Sequence, residues 1–359
     1  MSVFRAISSG RLGAAGVALS FALSSLPLAA GAEDVAVQNA LGFIRRQQNE
    51  DGSFGKVQPH LQTGFAALAL LCAAAPPSET DRAIVERAVA YLEKTGASDG
   101  DLGDRVYATE SHAVATLAAV CALPYVREDA LRKALAEKSG RAVRLLFRLQ
   151  DPSSSSRSRG GWRTEGFKGQ DNDRRASAWV LLASEAARQV GMPVKDANLD
   201  RGVRYMLGSF KDATATPPQV GGFSVDAEGL AVEQISAMGG WVLVRFRQPE
   251  DMIDLNRRWL VKNPPLWAGP NYFYSSFFRV RTLKFSDRAG RDYQRTLQRL
   301  RTQIQDHQAG DGSVGIPPGE AQNSADMGPV FTSALSVLIL NVDDSRLCFD
   351  EDYRVRPLF

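Results

Sequence analysis

Two kinds of apolar stretch alternate along the chain. In the first, apolar residues recur at three- and four-residue spacing with charges between them, the pattern of a helix with one wet face. These stretches are Asp34–Gln48, Asp81–Lys94, Glu128–Gln150, Ala197–Ser209, Pro249–Lys262 and Arg291–His307. The second kind is apolar almost all round: Thr63–Ala75, Ser111–Leu123, Ser177–Ala187, Ile235–Phe246, Tyr272–Leu283 and Pro329–Leu340, with TGFAALALLCAAA and PVFTSALSVLIL as typical members. A helix that is hydrophobic on every side has to be surrounded. Six of each kind in alternation predict an all-α fold of two concentric rings, an (α/α)6 toroid in which an outer ring shields an inner one. A linear solenoid would leave two ends needing polar caps.

Between the two helices of each pair lies a loop rich in glycine with an aromatic or apolar residue. The clearest copy is Ala40–Gly55, ALGFIRRQQNEDGSFG; weaker copies run through Asp99–Gly103, Gly160–Trp162 and Gly221–Phe223, and Gln303–Gly315 is the last clear one. A unit that recurs about every 50 residues marks a repeat architecture. Because the inner helices start after these loops, their N-termini are expected to open on one end of the barrel, with unpaired N–H groups and positive dipole ends. The polar residues that would line this mouth are His60, Gln62, Glu110, His112, Asp171, Asp173, Glu233, Gln234, Asn323 and Asp326. The ordinary alternative for any one of them is a helix N-cap or a loop polar residue.

The first 32 residues stand apart. Arg5 and Arg11 precede an uncharged apolar run, Leu12–Leu28, and Ala30-Gly31-Ala32 supplies a small-residue cleavage pattern before Glu33. The expectation is a secretory signal over 1–32 and a single toroid domain over 33–359, exported to the periplasm or the exterior; the competing reading is an uncleaved anchor. Past that segment no apolar run is long and pure enough to span a membrane. With 43 Lys and Arg against 40 Asp and Glu, the charge balance does not point to nucleic acid or an acidic polymer. Cys72, Cys121 and Cys348 allow at most one disulfide. Cys72 and Cys121 end apolar runs and read as buried thiols, and no Cys/His spacing suggests zinc. No cofactor or metal is expected.

The repeats resemble the aromatic-Gln-Gly-x-aromatic motif of squalene cyclases and the related prenyltransferase repeats, which ties an outer helix to the next loop. Phe43, Gln47 or Gln48, Gly52 and Phe54 carry the likeness best; Tyr91 and Tyr205 head copies that have lost the Gln. Gly160–Arg163 (GGWR), Asn271–Phe278 (NYFYSSFF) and the Arg-Pro-Leu-Phe terminus are similar to exported bacterial toroids with prenyltransferase and squalene-oxidase repeats, whose function is largely unassigned. The resemblance implies the toroid fold. It does not imply an activity, because each known chemistry lacks a part.

The cyclases protonate their substrate from an Asp-x-Asp-Asp-Thr-Ala segment, and this chain has Asp171-Asn172-Asp173-Arg174-Arg175-Ala176 there. Asp173 falls on the proton donor, but neighbouring cations favour a carboxylate over the protonated acid that the reaction requires. The aspartate-rich metal motif, the prenyltransferase zinc ligands and the thioester segment of other relatives are missing, and Asp343-Asp344 lies beyond the last inner helix.

Three functions follow as expectations. The first is a toroid that binds a small molecule or partner without catalysis. The second is a glycan lyase or hydrolase, with Glu110 paired with Asp171 or Asp173, Trp162, Trp267, Tyr272 and Tyr274 either stacking on sugars or packing in the core, and Arg174 and Arg175 holding an acidic sugar. The third is a divergent terpenoid cyclase acting through Asp173 on an isoprenoid. The candidate catalytic residues are thus Asp173, Asp171 and Glu110; the candidate ligand-binding residues are His60, His112, Arg174, Arg175, Trp162, Tyr272 and Tyr274. A long apolar lumen would favour the cyclase and an open, polar groove the glycan.

Overall fold

The computed structural model describes residues 35–73, 76–104, 108–152, 159–165, 171–212, 219–226, 229–320, 326–345 and 347–350. The segment 1–32, Asn323 and the Arg-Pro-Leu-Phe terminus lie outside the described residues.

Among the described residues twelve α-helices alternate as the hydrophobic pattern predicts. The outer helices are α1 (Val35–Arg46), α3 (Glu79–Thr95), α5 (Asp129–Arg148), α7 (Asp196–Leu207), α9 (Glu250–Lys262) and α11 (Arg291–Asp306). The inner helices are α2 (Pro59–Cys72), α4 (Ala108–Ala122), α6 (Arg174–Gln189), α8 (Glu233–Arg245), α10 (Tyr272–Ser286) and α12 (Gly328–Leu340). Their chemistry explains the two layers. On α3, Ile84, Val85, Ala88, Val89 and Leu92 are buried on one face, whereas α2 is buried from Leu61 to Cys72 without interruption. The start of α3 is fixed by Ser78, whose hydroxyl accepts from the Asp81 N–H at 3.1 Å.

Each inner helix packs on the next, and α12 packs on α2, closing the inner ring; α1 seals the outer seam against α11 and α12. Since every inner helix is reached through an outer helix running the other way, the six run parallel. A two-stranded ribbon, β1 (Phe210–Asp212) with β2 (Gly221–Phe223), is the only sheet among the described residues. It interrupts the loop between α7 and α8 and was not expected from the pattern.

The repeat motif acts as a latch. Gln48 Nε2 donates to the carbonyls of Gly52 (3.0 Å) and Ile84 (2.9 Å), Gln150 to Gly160 (2.8 Å) and Asn198 (2.9 Å), and Gln308 to Gly312 (3.2 Å) and Ala36 (2.9 Å). Each amide thus joins its own loop to the outer helix of the next repeat, and the third instance joins the last repeat to the first. At Gly160 the backbone is left-handed (φ 91°), and a Cβ there would sit 2.6 Å from the Arg201 carbonyl oxygen, so only glycine fits. Where the Gln is lost, other donors replace it. Lys138 Nζ reaches the Gly96 (2.7 Å) and Ala97 (3.2 Å) carbonyls from the next outer helix.

The axis of the ring is filled. Phe65 on α2, Trp179 on α6 and Tyr274 on α10 come from inner helices that are not neighbours in the ring, yet their centroids lie 5.3–6.0 Å apart, and Phe331, Phe277 and Phe278 complete the cluster. All six rings are buried. Four of these six contacts are edge-to-face, a geometry that is favourable beyond burial alone.

Candidate functional site

The mouth is built from the first turns of the inner helices, held by a second periodic contact. A loop N–H donates to a side chain on the following inner helix at Phe54 (to Thr63 Oγ1, 2.9 Å), Trp162 (to Ser177 Oγ, 3.0 Å), Phe223 (to Ser236 Oγ, 2.9 Å) and Val314 (to Ser333 Oγ, 2.9 Å). In the second repeat the acceptor is His112: Leu102 N–H donates to its Nδ1 at 3.0 Å, and its Nε2 lies 3.2 Å from the Ala142 carbonyl. A ring that accepts at Nδ1 and donates at Nε2 is the neutral imidazole, and burial pushes its pKa down, in agreement. The structure therefore moves His112 from the mouth to the latch.

Trp162 and Tyr272 are likewise packed inside. The Trp162 ring is buried, with Nε1 donating to the Leu146 carbonyl at 2.6 Å; the Tyr272 hydroxyl lies 3.1 Å from Gln303 Oε1 and its ring packs edge-on against Trp267. Neither face is open to a sugar. His60, at the start of α2, is engaged at both ring nitrogens, by Asp104 (3.0 Å) and Thr95 (2.9 Å). Gln62 is buried and donates to the Val57 carbonyl at 2.6 Å. Asp326 is exposed.

What remains gathers at the N-termini of α6, α8 and α10. A pocket of about 590 Å³ is lined there by Thr164, Asp171 to Arg175, Val225, Val232 to Ile235, Pro270 and Asn271. The volume is that of a small-molecule site. Its walls set charged and amide groups into the carbon surface of Val225, Val232, Ile235 and Pro270. Sequence reasoning missed Thr164, which directly follows GGWR, and Asn271, which enters α10 with left-handed backbone (φ 56°).

Asp173 caps α6. Its Oδ1 accepts from the N–H groups of Arg175 (2.6 Å) and Ala176 (3.2 Å), and its Oδ2 from Thr164 Oγ1 (3.1 Å) and Arg175 Nη2 (3.1 Å). Arg174 turns the other way, donating to the Val225 carbonyl with its guanidinium 4.8 Å from the Tyr205 ring centroid. Asp171 is exposed at the rim. Glu233 is tied to Ser275 Oγ (2.6 Å) and Arg279 (3.2 Å).

Glu110, in the first turn of α4, is buried in the adjoining corner. Burial pushes its carboxyl above the usual range, against smaller pulls from Tyr274 and Arg175. The Tyr274 hydroxyl is held beside it, short of full hydrogen-bond geometry, and burial also raises that hydroxyl's pKa. Burial works against the charge of Arg175, but Asp173 and Glu110 outweigh it. The corner thus combines a carboxyl pushed up by burial, the carboxyl group that caps α6, and a guanidinium that feels both. No group of three His, Cys, Asp or Glu among the described residues is arranged to hold a metal, and no described helix is long and apolar enough to cross a membrane.

Residues 9–183 match the family model of the prenyltransferase alpha-alpha toroid domain, and the fold is an α/α toroid. Solved structures agree on the fold. The α-1,6-mannanase GH76A from Salegentibacter sp. HEL1_6 is 9% identical, with 85% of this chain and 97% of that chain covered at a TM-score of 0.58. The type II terpene cyclase MstE from Scytonema is 15% identical over 85% and 96% at 0.53. A protein from Actinoplanes is 12% identical over 86% and 98%, also at 0.53. The mannanase has been seen with α-1,6-mannotriose and the cyclase with geranylgeranyl dihydroxybenzoate. No curated protein matches the chain.

Proposed function

We propose that this is an exported toroid, freed of residues 1–32, that binds a small oligosaccharide in the pocket at the mouth and does not cyclise isoprenoids. The observation that carries the reading is the aromatic cluster across the axis: Phe65, Trp179 and Tyr274 occupy the space in which an isoprenoid chain would have to fold. The acid expected to start cyclisation is occupied as well, since Asp173 accepts four hydrogen bonds. The mouth pocket instead offers carbon patches for the C–H face of a sugar beside carboxylate, amide and guanidinium groups for its hydroxyls.

The test is calorimetric titration of the purified protein with neutral and uronate-bearing oligosaccharides. Saturable binding that Arg175→Ala or Asp171→Ala weakens tenfold or more supports the reading. A cyclic product from squalene, lost in Asp173→Asn, overturns it. A glycan-cleaving enzyme is the second reading, favoured by the Glu110 carboxyl, which burial pushes up, next to the second carboxyl group of Asp173. It predicts new reducing ends that Glu110→Gln abolishes; binding without cleavage decides for the first.

A further inference from the structure

The C-terminal segment closes the end of the ring opposite the mouth. After α12 the chain crosses the C-terminal ends of three inner helices. Asn341 Nδ2 donates to the Cys72 carbonyl on α2 at 2.6 Å, Lys284 Nζ on α10 donates to the Val342 carbonyl at 2.6 Å, and Phe349 packs into the core beside Phe277. Asp350 is buried and takes both arms of the buried Arg281 guanidinium, at 2.7 and 2.9 Å, with Ser345 Oγ as a third donor at 2.7 Å. These contacts fix the segment at both ends of Leu347–Asp350. Between them Cys348 is set against α4, its Sγ 2.8 Å from Sγ of Cys121, while Cys72 is occupied elsewhere, its thiol facing the Asn341 carbonyl at 3.8 Å.

We propose that Cys121 and Cys348 form a disulfide that staples this closing segment to α4, and that Cys72 is the thiol left over. Three observations carry it. The two sulfurs are in contact across 227 positions of sequence; the segment that bears Cys348 is held by the Arg281–Asp350 pair independently of the thiols; and Cys348 is half-buried while Cys121 is buried, so an oxidant has access to one sulfur and the second is already adjacent. The reactant is a disulfide of the glutathione or oxidoreductase type. The Cys348 thiolate attacks one of its sulfurs, forming a mixed disulfide and releasing one thiol. Cys121 then gives up its proton and attacks Cys348, releasing the second thiol. The protein loses two electrons and two protons, and the reactant gains them. Burial pushes the Cys121 thiol up, which leaves the first attack to Cys348. A crosslink that closes so long a loop restricts the unfolded chain strongly, and it fits the oxidising compartment of an exported protein.

The experiment uses the full chain, incubated with oxidised glutathione, denatured, alkylated and mapped by mass spectrometry, before and after reduction. The expected result is one alkylated cysteine before reduction, Cys72, with Cys121 and Cys348 peptides linked, and three afterwards. Cys348→Ser lowers the Tm of the oxidised protein and not of the reduced one. Three alkylated cysteines in the oxidised sample, a link that includes Cys72, or a Tm drop in Cys348→Ser that is equal in both states overturns the proposal.

Discussion

The two ends of the ring are made of the same twelve helices and differ in almost everything else. At the mouth, the inner helices are entered through long loops pinned by single amides and hydroxyls, and α8 and α10 begin without a side-chain cap. At the closed end, connections are short and the centre is a buried ion pair, Arg281–Asp350, roofed by Phe277 and Phe349 at 3.9 and 5.4 Å. The difference shows where this toroid concentrates order and where it leaves polar groups available. Exposed polar groups at the mouth can be satisfied by water or a ligand, whereas a charge buried at the closed end, such as Asp350, has to find its partner within the protein.

The largest effect is expected at the closed end. Arg281→Met leaves Asp350 buried without its partner and should reduce stability by about 3–5 kcal/mol in denaturant titrations. Adding Asp350→Leu should recover much of that loss. A single variant as stable as the parent would show that the pair is not buried and would erase the contrast between the two ends.

The latches come next. Gln150→Ala removes the donor shared by the Gly160 and Asn198 carbonyls and should lower stability by about 1–3 kcal/mol. Gln47→Ala, next to the equivalent Gln48, should change little, since Gln47 is exposed and surface substitutions usually stay within ±0.5 kcal/mol. Equal effects would mean that the repeat amides are not what joins the loops to the outer helices.

At the mouth the effects should be smaller still. Asp173→Ala deletes the cap of α6 and is expected to lower stability by about 0.5–2 kcal/mol, while Asp173→Asn, which can still accept from Arg175 and Ala176 N–H groups, should preserve most of it. Equal losses in thermal melts would show that the carboxylate's charge, rather than the cap, is what matters.

The finest probe is pH. Glu110 has a folded-state pKa above its ordinary 4.5, so the folded state holds its proton more tightly than the unfolded state. Its contribution is fully present below that value and is lost as pH rises through the raised one. Glu110→Gln should therefore flatten the fall in stability over that interval and gain on the parent as pH increases. An unchanged slope in denaturation curves across that interval would place Glu110 in water.

By itself, the sequence determined the alternation of wet-faced and all-apolar helices, the number of repeats and the closed ring. Each of these is written in local periodicity, because the face a helix must bury repeats every three or four residues. The observed boundaries follow: Asp81–Lys94 is Glu79–Thr95, and Tyr272–Leu283 is Tyr272–Ser286. Asp173 was also legible, as both an acid at the expected place and a helix cap. The tertiary structure alone supplied its partners, Thr164 and the first turn of α6. It alone separated Gln48 from Gln47, turned His112 into a stand-in for the Ser or Thr of other repeats, and withdrew Trp162 and Tyr272 from the mouth. The same holds for Phe65, Trp179 and Tyr274 meeting on the axis, for Glu110 beside Tyr274, and for Cys348 against Cys121. Those partners are tens to hundreds of residues apart, and their meeting depends on how the helices pack against one another, which no local pattern encodes.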